Sequence, residues 1–202
     1  MKIKGLCEDL MFDEKEHVYK ISGVKWPSVT QLMKPLVMEI YKDVSEVALR
    51  GAADKGTTVH EAFEIYADYG YEDIPEEYAG YLEGLKKFYA DFKVKPIATE
   101  QRFYHKLYCY AGTADLIAEI NGETVLVDYK TTAQIQPVLT AVQLIAYRKA
   151  LESQGVKISY TAILHVSKDG NYKFIRQGNE LESWDVFLGL FKMDRFIRKH
   201  AA

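Results

Sequence analysis

The chain has 202 residues, of which 48% are hydrophobic and 27% are charged, a composition that excludes a disordered chain. Its formal net charge of -3 excludes a strongly basic, histone-like binder, but it is compatible with a nucleic-acid enzyme whose groove is locally basic. The two cysteines, Cys7 and Cys109, cannot build a disulfide framework or a four-cysteine iron–sulfur site. We expect a cytoplasmic protein, because sparse thiols suit a reducing compartment and no apolar run approaches the roughly 20 residues of a membrane helix.

The N-terminal part of the chain predicts a hairpin followed by helices. Two short β-type runs flank the charged segment DEKE within residues 9–30. Ser28 and Gln31 have the spacing of a capping box, so a short helix is expected to begin there and to end near Pro35. Longer stretches of helical spacing follow at residues 44–69, with a break or bend expected around 50–58, and at residues 75–92.

The rest of the chain alternates between strand and helix patterns. Residues 97–120 and 123–132 have a period of two and flank Asn121-Gly122, which is the strongest short hairpin signal. A helix, two strands and a last amphipathic helix are expected at 136–153, 157–166, 172–177 and 180–199. We therefore predict a single α/β domain, with a hairpin and helical part at residues 1–95 and a core at residues 96–202.

Two acidic residues fall at facing positions of the predicted hairpin. A two-residue loop at Asn121-Gly122 pairs Ile120 with Glu123, and counting back along both strands puts Asp115 opposite Asp128. Directly opposed residues have Cβ atoms about 4.5–5.5 Å apart, a separation at which like charges destabilise a sheet. Such a pair needs a cation or a shared proton, and oxygen ligands favour a hard ion such as Mg²⁺.

A lysine accompanies the two acids. Side chains alternate between the faces of a sheet, so Lys130 shares the face of Asp128 while Tyr129 points away. In that position Lys130 can orient a water molecule and stabilise phosphate charge. The plain alternative is an exposed charged face with a lysine–aspartate pair. Burial is favoured instead by the apolar neighbours on both strands, which are Leu116, Ile117, Leu126 and Val127.

Four segments in the same order resemble a known family. Asp115 followed by Asp128-Tyr129-Lys130 resembles the D…(D/E)-x-K core of the PD-(D/E)XK nuclease superfamily. Gln143 to Tyr147 resembles the Q-x-x-x-Y motif of its RecB-like branch, and KGTTVHEAFEIY resembles the G-x-x-x-H segment of that branch. WPSVTQLM and the hairpin itself are similar to segments of phage exonucleases and of the mitochondrial genome maintenance exonuclease. The matches span residues 27 to about 150.

The resemblance implies a restriction-endonuclease-like core, with a central mixed β-sheet flanked by helices and a helical N-terminal elaboration. It also implies hydrolysis of DNA phosphodiester bonds with Mg²⁺ or Mn²⁺. The implied metal ligands are His60, Asp115, Asp128 and the backbone carbonyl of Tyr129. Lys130 is the implied catalytic lysine, Gln143 and Tyr147 orient the lysine or the substrate, and Glu100 is the candidate for an additional glutamate before the hairpin.

A run of cations and tyrosines precedes the hairpin. In EQRFYHKLYCY, an unbroken strand places Arg102, Tyr104, Lys106, Tyr108 and Tyr110 on one side. Bases stack on aromatic rings while cations follow phosphates, so this stripe is a candidate single-strand contact. A tyrosine-rich strand of an ordinary sheet is the equally good alternative.

Three functions remain open at this stage. The leading one is a metal-dependent DNA exonuclease that acts on single-stranded or end-processed DNA in phage-type recombination or replication. The alternatives are a structure-specific or defence endonuclease with the same fold, and a catalytically idle DNA-binding module. No iron–sulfur cluster and no membrane association are expected, and the sequence carries no signal for oligomeric partners.

Overall fold

The computed structural model describes residues 1–200, which form two β-sheets and six α-helices. The strands are β1 (Leu10–Asp13), β2 (Val18–Ile21), β3 (Val24–Trp26), β4 (Lys95–Tyr104), β5 (Ala111–Ile120), β6 (Glu123–Lys130), β7 (Tyr160–Val166) and β8 (Tyr172–Arg176). The helices are α1 (Val29–Leu32), α2 (Lys34–Ile40), α3 (Glu46–Tyr69), α4 (Ala79–Phe92), α5 (Pro137–Ser153) and α6 (Glu180–His200). None of these helices is both long and apolar enough to cross a bilayer.

The larger sheet has five strands in the order β4-β5-β6-β7-β8. Strands β6 and β7 are parallel, and the other neighbours are antiparallel. A parallel pair needs a long crossover connection, which α5 supplies here. This mixed sheet with flanking helices, preceded by a helical N-terminal part, confirms the predicted fold class. A separate three-stranded sheet, β1-β2-β3, extends the predicted N-terminal hairpin by one strand.

Each face of the large sheet buries its own apolar cluster. One face packs against α1, α5 and α6, with Leu32, Leu144 and Phe187 among its buried residues. The other face packs against α3 and α4, with Phe63 and Phe88 among its buried residues. The sheet is therefore covered on both sides, as the apolar runs of its central strands require. Polar groups on those strands are consequently held in a largely dry interior.

Helix α3 runs without interruption over 24 residues, so the break expected around residues 50–58 is wrong. It begins at Ser45, whose side chain accepts a hydrogen bond from the Ala48 N–H, and it ends at Gly70 in the left-handed conformation. A Cβ added at Gly51 or Gly56 would meet no neighbouring atom. Each glycine costs the helix about 1 kcal/mol in propensity, which is too little to break it.

Two other boundaries differ from the sequence-based expectation. The capping box at Ser28 and Gln31 is present, but α1 ends at Leu32 and Pro35 is the second residue of the next helix, α2, where a proline near the N-terminus is favourable. Strand β4 ends at Tyr104, because the following segment turns back and His105 Nδ1 accepts hydrogen bonds from the Leu107 and Tyr108 N–H groups. The unbroken alternation expected through Tyr110 is therefore wrong: Tyr110 is fully buried.

Candidate active site

The β5–β6 hairpin has the register that its turn predicts. Both turn residues have positive φ, 52° at Asn121 and 80° at Gly122, and the pairing runs from Ile120–Glu123 to Leu116–Val127. Asp115 and Asp128 are the next residues on each strand, but they are not a hydrogen-bonded ladder pair. Asp115 Oδ2 instead accepts a hydrogen bond of 2.7 Å from the Tyr129 N–H. The β5–β6 pairing thus ends where the acidic side chains begin, while β5 and β6 continue to pair with β4 and β7.

Three acid or imidazole side chains converge beside the end of this hairpin. His60 lies on α3, Glu100 on β4 and Asp115 on β5. Each provides one potential ligand atom, and the three atoms lie within 4.8 Å of one another. His60 Nδ1 is 3.7 Å from Asp115 Oδ1. Within residues 1–200 this is the one group of three or more His, Cys, Asp or Glu side chains with metal-site spacing.

Glu100 reaches the group from an irregular point of its strand. Its φ is 41°, in the left-handed region that non-glycine residues rarely adopt. The neighbours Thr99 and Gln101 pair regularly with β5, while Glu100 itself has no partner in the ladder. A strained backbone of this kind costs about 1–3 kcal/mol and persists only where the surrounding structure enforces it.

The N-terminal segment supplies that enforcement. The Lys2 ammonium donates to the backbone carbonyls of both Thr99 and Glu100, and it lies 3.3 Å from Glu64 Oε1. The Ile3 N–H donates to Gln101 Oε1 at 2.7 Å. Sequence reasoning missed Lys2, because a lysine near the start of a chain has no spacing that distinguishes it from a solvated charge.

Asp128 and Lys130 form a buried ion pair next to the group. Only 3% of the Asp128 side chain is exposed, and its Oδ2 atom lies 2.6 Å from Lys130 Nζ. That oxygen is fully buried and makes no hydrogen bond of good geometry with the part of the chain described. Asp128 is not among the residues whose ligand atoms all lie within 4.8 Å of one another, whereas Glu100 joins His60 and Asp115 in that group.

The electrostatics of the site show an excess of buried negative charge. Burial, together with the Asp115 and Glu64 carboxylates, raises the pKa of Glu100 to about 8. Burial also raises the pKa of Asp128, and the nearby Asp115 carboxylate adds to this, whereas Lys130 opposes it. Burial lowers the pKa of Lys130, but Asp128 and Asp115 raise it by more, so the lysine stays charged. The acids therefore lack enough positive charge within the protein.

Gln143 and Tyr147 connect the lysine to helix α5. The Lys130 ammonium donates to Gln143 Oε1 at 3.5 Å, and Gln143 Nε2 donates to the Tyr147 hydroxyl at 2.9 Å. The two α5 residues are one turn apart, which lets them meet on one helical face. Tyr147 is buried and its ring packs against Phe103, with centroids 4.9 Å apart. The chain of contacts holds the Lys130 side chain in a defined direction.

A cleft of about 1060 Å³ opens over the three-residue group. His60, Glu100, Asp115 and Tyr147 line it, together with residues of β1, β2, α1 and α3. Arg102 also lines it, 3.1 Å from Glu14 Oε1 and above the Phe12 ring. The other four residues of the predicted DNA-contact stripe are not among the lining residues. Tyr104 donates a hydrogen bond to Asp9, and Lys106 is exposed on the turn after β4.

The residues present fit a divalent cation. Carboxylate oxygens with one imidazole suit a hard or borderline ion, and carboxylates crowded in a dry site need such a charge. Two observations support this fit: the raised pKa of Glu100 and the buried Asp128 oxygen that lacks a well-aligned donor. His60, Glu100 and Asp115 are the residues whose ligand atoms can hold the ion together.

Comparisons with known proteins place the chain in a family. The model of the PD-(D/E)XK nuclease superfamily matches residues 68–188, well over half of the chain. No curated protein matches. Among solved structures, that of SSO0001 is 15% identical with a TM-score of 0.45, and the match covers 82% of this chain and 74% of that one.

An alkaline exonuclease from Laribacter hongkongensis is 12% identical with a TM-score of 0.33, covering 70% of this chain and 82% of that chain. Its complex with dAMP is 14% identical with a TM-score of 0.30, covering 70% and 83%. The finer resemblance to the mitochondrial genome maintenance exonuclease stays a prediction. Because the family model spans the β4–β6 strands, α5 and the residues that they carry to the site, this chain belongs to the PD-(D/E)XK nuclease superfamily.

Proposed function

We propose that this chain is a Mg²⁺- or Mn²⁺-dependent DNA exonuclease, which acts on single-stranded or end-processed DNA in phage-type recombination or replication. One observation carries the proposal. His60, Glu100 and Asp115 converge on a point beside the buried Asp128–Lys130 pair, at the side of a large open cleft. A purely structural ion pair would not need three further acid and imidazole groups next to it.

The proposed ion is held by His60, Glu100 and Asp115, and the family resemblance adds Asp128 and the Tyr129 carbonyl as further ligands. A divalent cation held by these residues would supply positive charge for the scissile phosphate and would lower the pKa of a bound water molecule. The Tyr129 N–H, by donating to Asp115 Oδ2, fixes the direction of that carboxylate. Protein groups aligned in advance in this way cost no reorganisation during the reaction.

Lys130 is the catalytic residue of the proposal. Its ammonium remains charged between Asp128 and Gln143, so it can stabilise the negative charge that develops on the phosphate. Gln143 and Tyr147 act as positioning residues, since they hold the lysine and not the substrate. Arg102, at the wall of the cleft, is the cation best placed to contact the DNA backbone.

A time course on labelled DNA tests the proposal. The substrates are 5′- and 3′-labelled linear single strands, linear duplexes and circular single strands, each incubated with Mg²⁺, Mn²⁺ or chelator. We expect short products from linear single strands with a metal and no cleavage of circles. Cleavage of circles would instead identify an endonuclease, and binding without cleavage under either ion would identify an idle DNA-binding module.

Matched lysine variants link that activity to the site. Lys130→Gln is expected to lower the rate at least 100-fold, because it removes the positive charge that stabilises the phosphate. Lys95→Gln removes an equally charged but exposed lysine on β4 and is expected to leave the rate unchanged. Equal rates for the two variants would contradict the assignment of Lys130.

A further inference from the structure

A second cavity adjoins Lys130, and we infer that it binds one unstacked nucleobase of the DNA strand. The inference rests on the proposed function, because the base is attached to a phosphate that the active site holds. The cavity has a volume of about 230 Å³ and is enclosed by the α1–α2 segment, the end of β6 and the first half of α5.

The size of the cavity suits a single ring system. The volume of the cavity is several times the roughly 30 Å³ that one water molecule occupies in liquid water. It is also smaller than the pockets of about 300–1,000 Å³ that enclose drug-sized ligands. A flat aromatic heterocycle of one or two rings lies between these limits, whereas a whole dinucleotide exceeds them.

The walls have the chemistry of a base-binding site. Met33, Val37 and Leu139 provide apolar surfaces from two sides of the chain, α1–α2 and α5. Gln136 and Tyr41, which carry an amide and a hydroxyl, also line the cavity, and neither side chain makes a hydrogen bond within residues 1–200. A nucleobase has apolar faces and a polar edge, so it satisfies both kinds of wall at once.

The position of the cavity relates it to the phosphate. Lys130 and Gln143 line it, so the lysine to which the proposed function gives the phosphate charge is also part of the wall of this cavity. Thr30, in the first turn of α1, lines both this cavity and the large cleft, so the two adjoin at that turn. A strand in the cleft can therefore place a phosphate near Lys130 and turn the attached base into the smaller cavity.

A base in this cavity has to leave its stack and its pairing partner. Unstacking is least costly in a single strand or at a frayed end, so the cavity selects such substrates without reading their sequence. This gives the preference for single-stranded or end-processed DNA a physical origin in the α1–α2 segment.

Binding measurements without cleavage test the inference. In an Asp115→Asn background, single-stranded oligonucleotides carry 2-aminopurine at successive positions, and a second set carries one abasic site at each position. We expect one position at which fluorescence changes on binding. An abasic site there should weaken binding by about 10-fold, the effect of losing one base contact.

Val37→Phe fills the cavity, and it should abolish the signal at that position and the penalty of the abasic site. Met38→Phe adds the same ring at the next residue of α2, which is 63% exposed and outside the cavity, so both signals should remain. Circular dichroism and thermal unfolding confirm that the variants are folded. If Val37→Phe does not fold, Gln136→Ala replaces it, with the exposed Gln134→Ala as its control.

The outcomes separate this inference from the proposed function. A flat abasic profile, or a Val37→Phe variant that behaves like Met38→Phe, overturns the base cavity even if the wild-type protein degrades DNA. A position-specific signal in a protein that cleaves nothing supports the cavity and overturns the nuclease activity. Absence of both the position-specific signal and DNA cleavage overturns both the base cavity and the proposed function.

Discussion

The two ends of the β5–β6 hairpin differ in how their backbone groups are paired. At the turn, Asn121 and Gly122 adopt the conformation their residue types favour, and every position from Ile120–Glu123 to Leu116–Val127 pairs regularly. At the other end the β5–β6 pairing stops, and the Tyr129 N–H donates to the Asp115 carboxylate instead of to a backbone carbonyl. At the turn end the backbone groups pair within the hairpin. At the other end the acidic side chains leave an excess of buried negative charge.

This difference separates residues that make the fold from residues that make the site. The turn end contributes no residue to the proposed site, so a substitution there should alter the stability of the protein and not its activity. At the site end the acidic side chains repel one another, so removing one of their negative charges should lower activity without lowering stability. Each of the following predictions tests one side of that division.

Asp115→Asn should produce the largest effect, a loss of about 100- to 1,000-fold in cleavage rate. The amide oxygen can still accept the Tyr129 N–H, while repulsion with Glu100 is removed. We therefore expect an unchanged or higher unfolding temperature without metal, measured by thermal denaturation beside the cleavage assay. A clear fall in stability would show that Asp115 belongs to the framework of the fold.

Glu100→Gln should stabilise the metal-free protein by about 2–4 kcal/mol at about pH 8.5. The pKa of Glu100 is raised from 4.5 to about 8 in the folded chain, so the folded state holds a proton that the unfolded state has released. Stability of the wild-type protein should consequently fall as pH rises from about 4.5 to about 8, and added Mg²⁺ should restore it.

In the Gln variant that pH-dependent loss should disappear, and the difference between the two proteins should vanish at about pH 4.5, where Glu100 is protonated. Urea unfolding at several pH values measures both. Parallel pH curves for the two proteins would contradict the excess of negative charge at this end of the hairpin.

Gly122→Ala tests the turn end. The glycine has a φ of 80°, and a Cβ there meets no neighbouring atom, so the cost is backbone strain alone. That strain is about 1–2 kcal/mol, which lowers the unfolding temperature by roughly 2–8 °C in a chain of this length. The cleavage rate well below that temperature should not change, and a lower rate would mean that the turn also shapes the site.

Lys2→Met should have the smallest effect, a loss of about 3- to 10-fold in affinity for Mn²⁺. Removing one exposed cation reduces its repulsion of the metal, which favours metal binding by less than about 1 kcal/mol. A net loss of affinity would therefore show that the lost hydrogen bonds to the Thr99 and Glu100 carbonyls have the larger effect. Calorimetric titration measures the affinity. Lys4→Met, an exposed residue two positions on, is the control; tighter binding by Lys2→Met would show that charge dominates.

Local rules predict the parts of this molecule that depend on neighbours in sequence. Asn121-Gly122 sets the hairpin register, Ser28 and Gln31 form the capping box, and the one-turn spacing of Gln143 and Tyr147 brings them together. These features each need only a few residues whose types fix a backbone angle or a helical face. The β-strand and helix order of the core follows from the same kind of pattern.

Other features depend on contacts that no local pattern records. The inward direction of Glu100 requires a positive φ that is supported by Lys2, nearly a hundred residues away. Helix α3 continues through the two glycines around which a break was predicted. Tyr110 leaves the expected stripe because its hydroxyl donates to the Ala146 carbonyl in the core, after the chain has turned at His105.

The dependence of Glu100 on Lys2 has a consequence for how the protein matures. Lys2, His60, Glu100 and Asp128 are far apart along the chain, and contacts between such distant segments form late because loop closure precedes them. A partly folded chain therefore has its acids scattered and solvated. The proposed nuclease activity should therefore appear only with the finished tertiary structure.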